Sequence, residues 1–223
     1  MEFIIDESMR ELGIESVVIA LVEGIDMSKD LSDEFLEKFN AMQQKVVDMD
    51  MERIKENPII LAYREIVQKV GQSVKKNPPT AQAFIKSTKK REFIPHINTV
   101  VDVYNIECLN SLLSIGGHDY DKITFPVTFT VCGKDDMFYP IGAPEKEVKA
   151  TDFVYRDQKG IIAWCDVRDS EFYKIDENTK RLFFVISGNK NTSVDMRKEA
   201  LVRICEDLKT MMPDVKYTIE VVG

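Results

Sequence analysis

NTVVDVYNIECLNSLLSIGGHDYD, residues 98 to 121, joins an apolar helical run to a polar stripe and a glycine pair. At about 100° per residue, Asn98, Asp102 and Asn105 fall within one narrow arc, with Ile97, Val100, Val101, Tyr104, Cys108 and Leu112 on the neighbouring face. The remaining positions Val103, Ile106 and Leu113 are apolar too. A helix of this kind is buried on all sides, so its amides and carboxylate either bond to backbone or face a polar cavity. Glu107 projects opposite the stripe and reads as a solvent contact or half of a buried pair rather than as a base. Gly116 and Gly117 are expected to form a tight turn. They either supply positive φ or let backbone approach a ligand without a Cβ in the way. Beyond them Asp119 and Asp121 alternate onto one strand face, as turn caps and ion-pair partners or as paired acids or cation ligands.

Working outward, Phe3 to Ile5 and Glu15 to Val22 read as strands, the second on its β-branched run Val17, Val18, Ile19. Asp30 or Ser32 caps a long amphipathic helix expected to reach about Asn57, with Phe35, Leu36, Phe39, Met42, Val46 and Met49 inward. Pro58 opens a helix to about Ser73, and the break Asn77-Pro78-Pro79-Thr80 opens another to about Arg91. After Gly116 the pattern shortens to strands at 118–123, 126–132, 152–155, 161–167, 172–175 and 182–186, then a helix at 195–212 and a strand at 215–222. Helices first and strands later predict an α+β layered domain in which sheets pack against helices. Residues 1–223 read as a single domain, with 1–74 an N-terminal extension packed on the core because its apolar helix faces need a partner.

A chain of 223 residues without a low-complexity stretch can bury one substantial core. No apolar run reaches the roughly 18 residues of a membrane span, and the acidic start MEFIIDESMR lacks a signal peptide's basic segment. A soluble, cytoplasmic protein with no membrane partner is expected. Cys108, Cys132, Cys165 and Cys205 are scattered without a Cys-x-x-Cys pair and read as reduced structural thiols. His96 and His118 are the only histidines, so a zinc centre or a Ser-His-Asp triad has few possible members; neither a metal nor another cofactor is expected. The net charge of −8 argues against indiscriminate nucleic-acid binding, DNA included. Yet Lys69, Lys75, Lys76, Lys86, Lys89, Lys90 and Arg91 follow one another with no acidic residue between them. This island either docks one defined RNA, through Lys75 to Arg91, or is a solvated helix face.

The motif Asn98-x-Val100-Val101-Asp102-x-x-Asn105, followed by the small residues Gly116 and Gly117 and the acids Asp119 and Asp121, resembles the editing module of phenylalanyl-tRNA synthetase. That module is formed by the third and fourth domains of the beta subunit. The likeness is closer still to free-standing proteins made of it alone. A weaker match lies in IIAWCDVRDSEFYKIDENTKRLFFV, Ile161 to Val185, which is similar to the family's apolar strand, polar turn and Thr-Lys-led strand. The resemblance covers roughly residues 75–212, an editing-module-like region. It implies a layered β/β/α sandwich and hydrolysis of mischarged aminoacyl-tRNA, with tRNA or aminoacyl-tRNA as partner. An aminoacyl ester is already labile, so such a site need only hold the substrate, place a water and steady the developing oxyanion. On the resemblance, Asn98, Asp102 and Asn105 frame a substrate pocket, Gly116 and Gly117 form its close wall, and Trp164 with Arg168 line the far side. Arg168, Asp169 and Ser170 follow Trp164 at a strand end; Arg168 meets a phosphate or carboxyl oxygen, or else a surface salt bridge. No catalytic residue is assigned.

Departures from the family bear on specificity. The family has a histidine at the turn and a glutamate near the end of the second block, the glutamate helping to recognise a tyrosine hydroxyl. Gly116 and Val185 align with them here. Valine in place of a hydroxyl reader removes preference for tyrosine. The family's Ala-Gly stretch is Ala163-Trp164-Cys165, so Trp164 narrows the cavity. His118 is a candidate pocket histidine, although a shift of two along a strand keeps the face and not the place. Editing in trans is the leading expectation. The alternatives are a non-catalytic module binding tRNA or an amino-acid-like metabolite, and a structural partner of a translation complex.

Overall fold

A computed structural model describes residues 2–165 and 167–223. The first part of the chain runs β1 (Phe3–Ile5), α1 (Glu7–Glu11), β2 (Val17–Glu23), α2 (Asp33–Asp48), α3 (Met51–Glu56), α4 (Pro58–Lys69), α5 (Thr80–Arg91) and α6 (Thr99–Ser111). The second runs β3 (Ile115–Asp119), β4 (Val127–Val131), β5 (Asp136–Phe138), β6 (Lys146–Val148), β7 (Phe153–Arg156), β8 (Ile161–Trp164), β9 (Arg168–Asp169), β10 (Arg181–Ser187), α7 (Val194–Met211) and β11 (Lys216–Val222). One sheet has the order β1-β4-β7-β8-β9, a second has β11-β2-β10-β3, and β5 with β6 forms a small ribbon.

The two larger sheets pack face to face, and helices cover the far side of the second. Phe3, Val17, Ile19, Phe129, Tyr155, Phe183 and Val185 fill the space between sheets. Val18, Ala20, Val22, Phe184 and Ile186, the alternate residues of β2 and β10, pack against Val100, Val103 and Ile106 of α6 and Leu201, Ile204 and Leu208 of α7. The result is the expected α+β architecture, a β/β/α sandwich. Burial on both faces explains why β2 reads VVIALV without a polar break. β2 lies between β10 and β11, and β1 pairs with β4, so part of the stretch 1–74 is built into the two sheets.

Local caps account for most departures from the expected boundaries. The helix expected to reach Asn57 ends at Asp48, because the Asp50 side chain accepts from the Glu52 N–H and starts α3 afresh. Leu36 is exposed rather than inward. β3 starts at Ile115, and the rest of the strand expected at 118–123 is a 3-10 turn, Tyr120–Lys122, capped by Asp119. The strand expected at 172–175 is likewise a 3-10 turn, Glu171–Tyr173, capped by Ser170. β8 stops at Trp164 and not at Val167, with Asp166 outside the described residues. Among the described residues, no helix is long and apolar enough to cross a membrane.

Candidate active site at the edge of the second sheet

Among the described residues β3 is an edge strand paired only with β10, with Gly116 opposite Val185 and Gly117 opposite Phe184. Its two glycines therefore face different layers. A Cβ on Gly116 would lie 2.5 Å from the Tyr155 hydroxyl oxygen and 3.1 Å from His118 Nε2, on the side between the sheets. A Cβ on Gly117 would lie 3.0 Å from the Tyr104 ring, on the helix side. The expected tight turn is thus a strand, and the glycines are there for close approach. The left-handed residue that ends α6 is Leu112, at φ 62°.

On the Gly116 side opens a cleft of about 90 Å³ lined by Gly116, Tyr155, Trp164, Arg168, Asp169 and Val185, among others. Three of the expected site residues, Gly116, Trp164 and Arg168, meet here, and Val185 sits opposite Gly116 as the alignment places it. His118 is fully buried on the same face, and its Nε2 bonds to the Tyr155 hydroxyl. Its Nε2 lies 3.1 Å from where a Cβ on Gly116 would be. Asp169 Oδ1 lies 3.9 Å from the same nitrogen.

Burial sets the protonation of this cluster. It pushes His118 down to about 3, so the ring is neutral at neutral pH. It pushes the Asp169 carboxyl up to about 7 while 26% of that side chain stays open. With a neutral ring, the contact at 3.9 Å is not an ion pair at neutral pH. His118 Nδ1 is buried with no hydrogen-bond partner among the described residues. A carboxyl that titrates near pH 7 beside a cleft with room for a few water molecules has the chemistry of a general base.

The polar stripe of α6 behaves differently. Asn98 is the N-cap, its side-chain oxygen accepting from the Val101 N–H at 2.9 Å. Asp102 is fully buried, accepts from the Ile97 N–H at 3.0 Å and bonds to His96 Nδ1. Burial raises its pKa, against which the Ile97 amide and His96 act. Asn98 and Gly117 line a second cavity of about 590 Å³ with Tyr104, Ile141 and Lys174. Half-buried Asn105 lines neither space. The single pocket expected from these residues is therefore divided by β3. Asp102 serves the backbone at the start of α6 instead of framing the Gly116 cleft.

Arg168 is exposed, donates to the Ile141 carbonyl at 3.2 Å and has no ion pair among the described residues. Glu107 is buried and pairs with the exposed Arg203 at 2.7 Å. Asp119 caps the 3-10 turn and accepts from Thr179, and Asp121 pairs with Arg181. In the basic island, Lys69 donates to the Leu12 carbonyl and Lys89 to the Val47 carbonyl. Lys75, Lys76, Lys86, Lys90 and Arg91 are exposed and have no ion pair among the described residues. They flank or ride on α5, whose first residue, Thr80, lines the cleft.

A model of the B3/4 domain matches residues 62–208 of this chain. The chain belongs to the B3/4 domain family. The phenylalanine–tRNA ligase beta subunit of Mycoplasma genitalium is 25% identical over 119 residues, which is 53% of this chain and 15% of that protein. An N-terminal fragment of the phenylalanyl-tRNA synthetase beta subunit from Pyrococcus horikoshii has a similar fold, with TM-score 0.51 at 16% identity, covering 97% of this chain and 50% of the fragment. This B3/4 chain thus spans only part of the length of both relatives.

Tyr155 and the buried state of Asp169 were not among the expected site features. Asp169 carried a faint signal as an acid two residues past a broken apolar strand, whereas Tyr155 reads as an ordinary strand aromatic. Their importance comes from β7 and β9 converging beside β3, which no local pattern encodes.

Proposed function

We propose that this B3/4 protein hydrolyses the ester of a mischarged aminoacyl-tRNA in trans, in the Gly116 cleft. The observation that carries the reading is Asp169, a carboxyl raised to about 7 at the wall of a cleft that a Cβ on Gly116 would invade. Asp169 takes a proton from water, the water oxygen bonds to the ester carbonyl carbon, and the bond to the ribose oxygen breaks. The leaving oxygen then receives the proton from Asp169, which returns to its carboxylate. Neutral His118 and Tyr155 form the buried wall that keeps Asp169 out of bulk water. Arg168 meets substrate oxygen at the mouth.

The choice of tRNA rests on the two relatives, both beta subunits of the phenylalanine enzyme. Val185 offers no hydrogen bond to a tyrosine hydroxyl, and Trp164 narrows a cleft with space for only a few water molecules, which favours a small aminoacyl group. The cations from Lys75 to Arg91 dock the RNA backbone, with α5 leading to the cleft at Thr80. Deacylation of a panel of mischarged and correctly charged tRNAs, with Asp169→Asn as control, tests the catalytic claim. Selective turnover that falls at least about 100-fold in the variant is expected. Binding without turnover on any member would leave a non-catalytic tRNA-binding module. A salt titration tests the island, which is dismissed if tRNA affinity does not change with ionic strength.

A further inference from the structure

Beside the cleft lies an apolar surface that neither the core nor the proposed hydrolysis uses. Phe172 is 60% exposed and Tyr139 is 41% exposed, and their rings meet at 4.9 Å between centroids with 49° between planes. Met137 and Ile141 extend the patch on the same segment. Exposed aromatic and aliphatic side chains grouped in this way mark a surface that something covers.

The charge around the patch indicates what. A cavity of about 530 Å³ adjoins it, lined by Met137, Tyr139, Phe172 and the cations Lys122, Arg156 and Lys159. Asp136 is the acid in that lining; it pairs with Arg156 at 3.1 Å, and Lys122 pairs with Asp176 at 2.6 Å. Lys159 has no ion pair among the described residues and is exposed. Arg156 and Lys122 are thus held by acids, Lys122 by Asp119 at 3.6 Å as well, which leaves Lys159 beside the exposed rings as the cation available to an anion. Rings flanked by cations bind unpaired nucleotides, with bases stacking on the rings and phosphates meeting the cations.

The patch is also joined to the cleft through the backbone. The Ile141 N–H donates to the Asp169 carbonyl at 3.0 Å, Arg168 donates to the Ile141 carbonyl at 3.2 Å, and the Glu171 N–H donates to the Tyr139 carbonyl at 2.8 Å. Phe172 is three residues from Asp169, at most about 11 Å along the chain. We propose that Tyr139 and Phe172 form a stacking platform for the unpaired 3′-terminal nucleotides of the RNA whose aminoacyl group enters the Gly116 cleft. This rests on the reading of that cleft as an aminoacyl-ester site.

Three readouts separate the two claims. The first is fluorescence anisotropy with a short single-stranded RNA ending in CCA, carrying no amino acid. Phe172→Ala and Tyr139→Ala are each expected to weaken it about 10-fold, and Lys159→Glu to flatten its salt dependence. A blunt duplex RNA should bind wild type and Phe172→Ala alike. The second is hydrolysis of an aminoacyl ester of a small alcohol, which should be unchanged in Phe172→Ala because the platform does not touch the cleft chemistry. The third is light scattering across protein concentration. Equal affinity of wild type and Phe172→Ala for the single strand overturns the platform, whether or not the ester is hydrolysed. Self-association that Phe172→Ala abolishes overturns it too, by assigning the patch to a second copy of this chain. Ring-dependent RNA binding without ester turnover sustains the platform and counts against the hydrolase alone.

Discussion

The two faces of β3 carry polar groups of similar kind and put them to opposite uses. On the Gly117 face, Asn98 accepts from the Val101 amide and Asp102, though burial raises its pKa, accepts from the Ile97 amide and bonds to His96, which is how a helix start is held in an apolar layer. On the Gly116 face, His118 has a nitrogen without a partner, and Asp169 stays largely buried with its pKa displaced to about 7. Satisfied polar groups stabilise; displaced and incompletely satisfied ones in a cleft are where chemistry is to be sought. Substitutions on the Gly116 face should accordingly change turnover, and those on the Gly117 face should change stability alone.

The largest effect is expected at Asp169. The fold raises this carboxyl from 3.8 to about 7, so its ionisation opposes folding. The native state is favoured below about pH 4, loses that advantage as pH rises toward 7, and carries the full penalty above it. At about 1.4 kcal/mol per unit, the penalty at pH 8 is at most about 4 kcal/mol, less for the open part of the side chain. Asp169→Asn should therefore melt higher than wild type at pH 8 and no higher at pH 4, while losing turnover. Equal melting curves at both pH values would show that the carboxyl is not held away from water.

Next is Gly116→Ala. The new Cβ would collide with the Tyr155 hydroxyl and crowd His118 and Val185, for a destabilisation of about 2–3 kcal/mol and a loss of turnover. Full activity in this variant would mean that the cleft tolerates filling and is not the site. On the other face, Asp102→Ala leaves the Ile97 N–H unpaired and should lower stability by about 2 kcal/mol in chemical denaturation. Turnover at temperatures well below melting should be unaffected, and a selective loss of kcat there would move Asp102 into the chemistry. The smallest effect is that of Asn98→Ala, which removes a helix cap worth about 1 kcal/mol. A shift beyond experimental error in ester KM for Asn98→Ala would reassign the site to the larger cavity beyond β3.

The same comparison explains what the sequence made legible. The layers follow from periodicity: alternate residues of β2 and β10 and the all-round apolar α6 could only be interior. Gly116, Trp164 and Arg168 are legible as site residues through the family resemblance and line one cleft, whereas Gly117 lines the cavity on the other side of β3. The assignment of Asn98, Asp102 and Asn105 to that cleft does not follow from geometry, because a helical arc predicts a shared face but not which side of a neighbouring strand it meets. The strands expected at 118–123 and 172–175 give way to 3-10 turns because the Asp119 and Ser170 side chains cap the chain there, a choice that hydrophobic pattern does not record. Asp169 became a candidate only when burial among distant strands displaced its titration.

The most direct test of the account is the pH–rate profile of aminoacyl-ester hydrolysis by wild type beside Asp169→Asn. The account predicts a rate that rises through about pH 7 and then levels in wild type, and a residual rate without that step in the variant. Equal rates in the two proteins, or a wild-type step unchanged by the substitution, would contradict it.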